Sequence, residues 1–165
     1  EGADILVTIG GASVGDHDLV APALRAAGVT LGFWKIAMRP GKPMMFGQRG
    51  PLRVLGLPGN PVSSLICARV FLVPLIARLA GRSEPELSGG SARLAAALEK
   101  NGPRQHYMRA TLDASNPAEL RVRPAVSQDS SLLTPLADAD CLIVRSPGAP
   151  ALAAGDMVPI LKLDF

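Results

Sequence analysis

The feature that most constrains the fold lies between Arg53 and Leu79. Arg53-Val54-Leu55-Gly56-Leu57 is a short, mostly apolar run. Pro58-Gly59-Asn60-Pro61 interrupts it, and apolar residues then continue to about Leu79. This pattern reads as a strand that runs directly into a helix. Asn60 suits the N-cap and Pro61 the first helical position. Pro74 should kink the helix locally, and Gly81 should end it. A second strand signal, Asp4 to Ile9, is apolar after its first residue except at Thr8 and stops at Gly10-Gly11. Strands buried on both faces of a parallel sheet look like this. Asp18 to Ala27 carries apolar residues at helical spacing, with Asp18 as a plausible cap and Gly28 as the stop. Val29 to Met38 reads as the next strand. Pro43 to Gly47 and Arg53 to Leu57 follow as short strands about a Gly50-Pro51 turn. The expected class is α/β, with a partial, doubly wound and mostly parallel sheet.

The texture changes after Gly81. Residues 82–91 are rich in Ser, Pro, Gly and Glu, and read as a linker. Short β-like runs follow at Arg93–Leu98, Tyr107–Leu112, Leu120–Val126, Cys141–Val144 and Met157–Leu163. No long helical pattern competes with them. The expected organisation is an α/β unit at 1–81, a linker at 82–91 and a small, mostly β unit at 92–165.

Composition narrows the function. Apolar residues make up 48% of the 165 residues and aromatics only 4%, so the core must rest on aliphatic side chains. No apolar run suggests a bilayer span, and no membrane partner is expected. Residues 1–81 hold 8 Lys+Arg against 4 Asp+Glu, and residues 82–165 hold 9 against 10. The positive half also holds the Gly/Pro loops, which points to a small anion. A nucleic-acid surface would need a denser basic stripe with aromatics beside it. Cys67 and Cys141 match no metal or redox spacing and read as small buried hydrophobes. His17 and His106 have no His or Cys partner at metal spacing, and read as a helix-cap neighbour and a strand residue. The start, Glu1-Gly2-Ala3-Asp4, reads as a cut inside a longer gene product.

Three loops carry the chemistry. In Gly10-Gly11-Ala12-Ser13-Val14-Gly15-Asp16, the glycines let backbone N–H groups approach an anion. Ser13 adds a hydroxyl, and Asp16 and Asp18 add carboxylates suited to Mg2+. A glycine turn with an acidic cap would carry the same residues. Lys35, Arg39 and Lys42 crowd positive charge around a loop stiffened by Pro40 and Pro43. Such crowding is easiest to explain with an anion between the cations. In Leu57-Pro58-Gly59-Asn60-Pro61-Val62-Ser63, a helix N-terminus favours an oxyanion, with Ser63 as a further donor. Neither a Walker loop nor a Gly-x-Gly-x-x-Gly pattern is present.

In order and spacing these loops resemble the C-terminal part of the molybdopterin molybdotransferases, over nearly the whole chain. The resemblance implies a cytoplasmic, magnesium-dependent transferase of molybdenum cofactor biosynthesis. It would insert molybdate into adenylylated molybdopterin with release of AMP. By resemblance, Asp18 is associated with magnesium and Lys35 lies in the same pocket, while Arg39, Lys42 and Ser63 belong to the molybdate site. Gly10, Gly11, Ser13, Gly59 and Asn60 are expected to bind substrate. In the β unit, Arg109 of Tyr107-Met108-Arg109-Ala110 and Ser130 of Ser127-Gln128-Asp129-Ser130-Ser131 match family residues. Many relatives carry Lys where this chain has Arg39, which keeps the charge and changes the donor geometry. The family's upstream residues are missing from this chain, which implies an incomplete enzyme. The resemblance also implies a homodimer at full length and contact with the preceding adenylyltransferase of the pathway. A non-catalytic pterin-binding or scaffold module of the same fold is the competing reading. The retained Arg39, Lys42, Ser63, Arg109 and Ser130 favour the enzyme. The β unit and the Arg-Pro-Gly-Lys-Pro loop argue against the adenylyltransferase itself.

Overall fold

The computed structural model describes residues 2–11, 19–82, 89–113, 115–116 and 119–163. Ser13, Asp16, His17 and Asp18 lie outside the described residues. The first sheet has the order β1-β5-β4-β2. Its strands are β1 (Ile5–Ile9), β2 (Thr30–Trp34), β4 (Met45–Arg49) and β5 (Leu52–Leu57). β1 runs parallel to β5, from Ile5 opposite Arg53 to Ile9 opposite Leu57. β4 pairs antiparallel with both β5 and β2. The sheet is therefore mixed, and only β1–β5 is parallel where a mostly parallel sheet was expected. The turn after Arg49 explains the difference. Gly50 takes φ 54° and closes a tight hairpin, and hairpin strands are antiparallel by construction.

The sequence from Val29 to Met38 forms two strands. It breaks at Lys35, a non-glycine residue at φ 79°. Beyond the break, β3 (Met38–Arg39) leaves the first sheet and pairs parallel with β7 (Gln105–Asp113) of the second. That second sheet is built from β6 (Gly89–Leu94), β7 (Gln105–Asp113), β8 (Arg121–Pro124), β9 (Cys141–Arg145) and β10 (Met157–Lys162). Its order is β3-β7-β8-β6-β10-β9, and a β7–β9 pairing closes it on itself. Closure removes the free edges that short strands would otherwise expose.

Helix α1 (Val20–Ala26) stops at Gly28, φ 80°. Helix α2 (Pro61–Cys67) begins as its sequence predicts: the Asn60 side chain accepts a hydrogen bond from the Ser63 N–H at 3.0 Å. The helix then widens into a π segment, Ala68–Leu72, before α3 (Val73–Leu79). Pro74 has no N–H for the carbonyl of Val70 and crowds the turn below it, and a π bulge relieves both. A single turn, α4 (Thr134–Ala137), is too short to be seen in the periodicity. The expectation about apolar runs also needs correction. Pro61–Leu79, at 19 residues, is long and apolar enough to cross a membrane by length and composition. In the fold it lays Val62, Ile66 and Cys67 into the core, and its Arg69, only 1% exposed, donates to the Lys162 carbonyl at 3.1 Å.

The core has three buried clusters. One lies between α1 and the first sheet, around Ala21, Leu24, Met45 and Val54. Another fills the closed sheet, around Ala110, Val122, Ile143 and Val158. The third joins the two halves: Met38, Met44, Leu55, Ile66 and Cys67 pack with Leu136, Leu142 and Leu161. Cys67 and Cys141 are free thiols, fully buried, and burial pushes both up to about 12.

Candidate oxyanion site

The carboxyl ends of β1 and β5 lie side by side because the two strands are parallel. Gly10 (φ 81°) follows β1 and donates its N–H to the Leu57 carbonyl at 3.0 Å. A Cβ built on Gly59 would lie 3.3 Å from the Gly10 Cα. The loops carrying Gly10, Gly11, Gly59 and Asn60 therefore touch backbone to backbone: a side chain at Gly59 would crowd the Gly10 Cα, and one at Gly10 would be strained by its positive φ.

The loop of residues 39–43 is fixed from below. The Ile36 N–H donates to the Lys42 carbonyl at 3.0 Å, and the Lys35 N–H to Met44 at 2.9 Å. Gly41 has φ 109°, and a Cβ there would sit 2.4 Å from the Cys67 Sγ. Only glycine lets this loop settle on α2, and that contact brings Lys42 to Ser63.

A cavity of about 490 Å³ lies between this loop and the β unit, lined by Arg39, Lys42, Ser63, Arg104, Asp129 and Ser130, with Pro40, Gly41, Pro43 and Gln128 completing the wall. Four of the residues expected in the site, Arg39, Lys42, Ser63 and Ser130, meet here from both halves. Three cations, Arg39, Lys42 and Arg104, face one carboxylate, Asp129. That carboxylate is turned onto its own loop. Its Oδ1 accepts from both the N–H and the hydroxyl of Ser131, at 2.9 Å each, and these bonds hold it below the usual carboxylate range.

The other expected residues lie elsewhere. Arg109 is 2% exposed and sits behind the wall. Its guanidinium donates to three main-chain carbonyls: Leu132 at 3.0 Å, Asp129 at 3.1 Å and Ser127 at 3.3 Å. Gln128 clasps the same strand, accepting from the Arg109 N–H at 3.0 Å and donating to the Arg109 carbonyl at 2.9 Å. Arg109 thus shapes the loop that presents Ser130. Lys35 is outside the cavity, with its Nζ 5.5 Å from the centre of the Trp34 ring. Asn60 and its neighbours offer less than a bare helix end would. The Asn60 side chain takes the Ser63 N–H, and the Asn60 carbonyl takes that of Ser64 at 2.8 Å. Ser63 contributes its hydroxyl, which makes no hydrogen bond among the described residues.

Arg104 is the cavity residue that sequence reasoning missed. β3 pairs with β7 so that Met38 faces Gln105 and Arg39 faces His106. This register delivers Arg104, one residue before β7, beside the 39–43 loop. No local pattern announces a pairing across 66 residues of chain.

Among the described residues, no group of three or more His, Cys, Asp or Glu side chains could hold a metal ion. Asp18, the residue expected to be associated with magnesium, lies outside them.

Comparison with known proteins agrees with this architecture. Residues 1–78 match the family described as "Probable molybdopterin binding domain", and residues 91–163 match "MoeA C-terminal region (domain IV)". The chain is 33% identical to the molybdopterin molybdenumtransferase of Haemophilus influenzae, over 96% of this chain and 39% of that protein. It is also 33% identical to the molybdenum cofactor synthesis protein cinnamon of Drosophila melanogaster, over 100% of this chain and 28% of that protein. The crystal structure of a molybdopterin biosynthesis protein from Pyrococcus horikoshii superposes with a TM-score of 0.78 at 26% identity, covering 99% of this chain and 38% of that one. The chain thus spans less than half the length of these relatives. Its two matched regions, in this order and on this fold, show that it belongs to the molybdopterin molybdenumtransferase family.

Proposed function

We propose that the cavity between the 39–43 loop and the β unit binds molybdate, and that a protein carrying these residues inserts it into adenylylated molybdopterin in molybdenum cofactor biosynthesis. The observation that carries the reading is the meeting of Arg39, Lys42, Arg104, Ser63 and Ser130 around one cavity of about 490 Å³. Three cations against one internally bonded carboxylate match a tetrahedral dianion. Charge-assisted hydrogen bonds to it are among the stronger ones available to a protein.

The chemistry asked of these residues is positioning and charge compensation, which preorganised donors supply without a covalent intermediate. Arg39 and Lys42 offset the oxyanion charge from one side. Ser63 and Ser130 donate from the two halves, and Arg109 keeps the Ser130 loop in place. Gly10, Gly11, Gly59 and Asn60 form the neighbouring rim, where the adenylylated pterin would lie. The sequence resemblance associates Asp18 with Mg2+, and Ser13, from its loop, is expected to bind substrate. A purely scaffolding module would need no such convergence of donors on a cavity. Because the chain spans 39% of the Haemophilus relative, binding is expected of it and complete turnover is not. Homodimer formation and contact with the preceding adenylyltransferase belong to the same proposal for the longer protein.

The test is titration of the chain with molybdate, following the backbone amide signals of Ser63 and Ser130. Saturable shifts at both residues support the reading. Absence of binding at millimolar molybdate counts against it.

A further inference from the structure

A second cavity lies behind Arg39. It has a volume of about 210 Å³ and is lined by Arg39, His106, Arg145, Lys100, Glu99 and Asn101, among others. Its floor is a row across three adjacent strands. Arg39 of β3 faces His106 of β7, and His106 faces Arg145 of β9. Residues in register on neighbouring strands point to the same face of a sheet, and like charges so placed destabilise it unless something offsets them. Arg145 is 3% exposed. Its Nη2 donates to the carbonyls of Glu99, Ala149 and Pro150. Its Nη1 is buried with no hydrogen-bond partner among the described residues. A buried guanidinium donor left unmade is costly, and the orphaned atom marks a place where an acceptor belongs.

The geometry points to a second anion pocket, built by Arg39, His106, Arg145 and Lys100, that takes a small tetrahedral oxyanion. Three of the lining groups are cationic (Arg39, Lys100 and Arg145) and one, the exposed Glu99, is anionic. The volume holds one oxyanion with some of its water, and falls below the roughly 300 Å³ at which pockets for larger organic ligands begin. His106 fits the assignment as an electrostatic witness. Burial, followed by the fields of Arg39, Arg104, Arg109 and Arg145, holds it at about 4, so it stays neutral and does not add to the charge. The pocket is separate from the proposed molybdate cavity and shares only Arg39 with it. Oxyanion chemistry is common to sulfate, phosphate and molybdate, and the experiment must distinguish them.

Crystals of the chain are soaked separately in tungstate, a heavy molybdate analogue, and in sulfate, and anomalous density is read at both cavities. The inference expects an oxyanion within hydrogen-bonding distance of Arg145 Nη1. Density in both soaks shows a general oxyanion pocket, and density with tungstate alone shows one tuned to the larger anion. A water at Nη1 in both soaks overturns the inference. Arg145 anchors three carbonyls, so the variant is made at exposed Lys100. Lys100→Gln should weaken tungstate binding by about three- to ten-fold, read from the shift of the His106 ring signals. An unchanged affinity there also contradicts the pocket. Lys42→Ala should affect the first cavity and leave the His106 signals responsive, so failure of the molybdate reading and failure of this one are told apart.

Discussion

Gly41 and His106 show how single residues set the site. Gly41 combines a left-handed φ with a contact that has no room for a methyl group. Gly41→Ala should therefore cost about 2–4 kcal/mol, combining backbone strain with overpacking against Cys67, measurable by urea denaturation. A cost under about 0.5 kcal/mol would mean the loop can settle elsewhere. His106 makes stability depend on pH. Its folded value of about 4 lies below the ordinary 6.5, so protons bind the unfolded chain more readily. Its contribution is fully present above pH 6.5 and is lost as pH falls towards 4, by on the order of 3 kcal/mol at most. Asp129 and Asp113, both held below the usual carboxylate range, act at lower pH and do not blur this window. His106→Gln should flatten the stability profile between pH 6.5 and 4. A profile with unchanged slope would show that His106 is not the titrating group. In the sequence alone His106 reads as an ordinary strand residue. Nothing in Gln105-His106-Tyr107 announces that two arginines from other strands flank it.

Among the elements, the junction of β5 with α2 was the most legible. Its signals are local: a Pro-Gly break, an Asn cap and a proline in the first turn. The cap bond from the Ser63 N–H is present as expected, and Asn60→Ala should cost about 1 kcal/mol of thermal or denaturant stability. The same change frees the Ser63 N–H, so a site that used that donor would gain rather than lose molybdate affinity. The π segment was less legible, because Pro74 predicts a kink without saying how the helix absorbs it. β3 was not legible at all. Two residues have no periodicity, and their pairing with β7 depends on contacts between segments far apart in sequence. Arg104 escaped for the same reason, since only that pairing brings it to Arg39 and Lys42. Arg109 was legible as a residue of interest, but its orientation towards three carbonyls depends on where the 127–132 loop folds.

At the level of the whole molecule, the two halves are joined by more than the chain between them. β3 crosses into the second sheet, and one buried cluster draws on both parts. We therefore expect protease to cut first in the part of residues 82–91 that precedes β6, where the composition changes, and the two pieces to stay associated. They should co-elute in gel filtration and part only in denaturant. Prompt separation under native conditions would mean that the shared cluster contributes little. The same joining places the proposed molybdate cavity between the halves, so its donors come from both and neither half alone should bind.

The most direct test of that claim is molybdate affinity in Lys42→Ala, read at the Ser63 and Ser130 amides. Loss of one charge-assisted hydrogen bond typically costs roughly 1.5–3 kcal/mol. The account predicts affinity at this cavity weakened by about one to two powers of ten, with the fold intact. Unchanged molybdate affinity in a folded Lys42→Ala protein would contradict it.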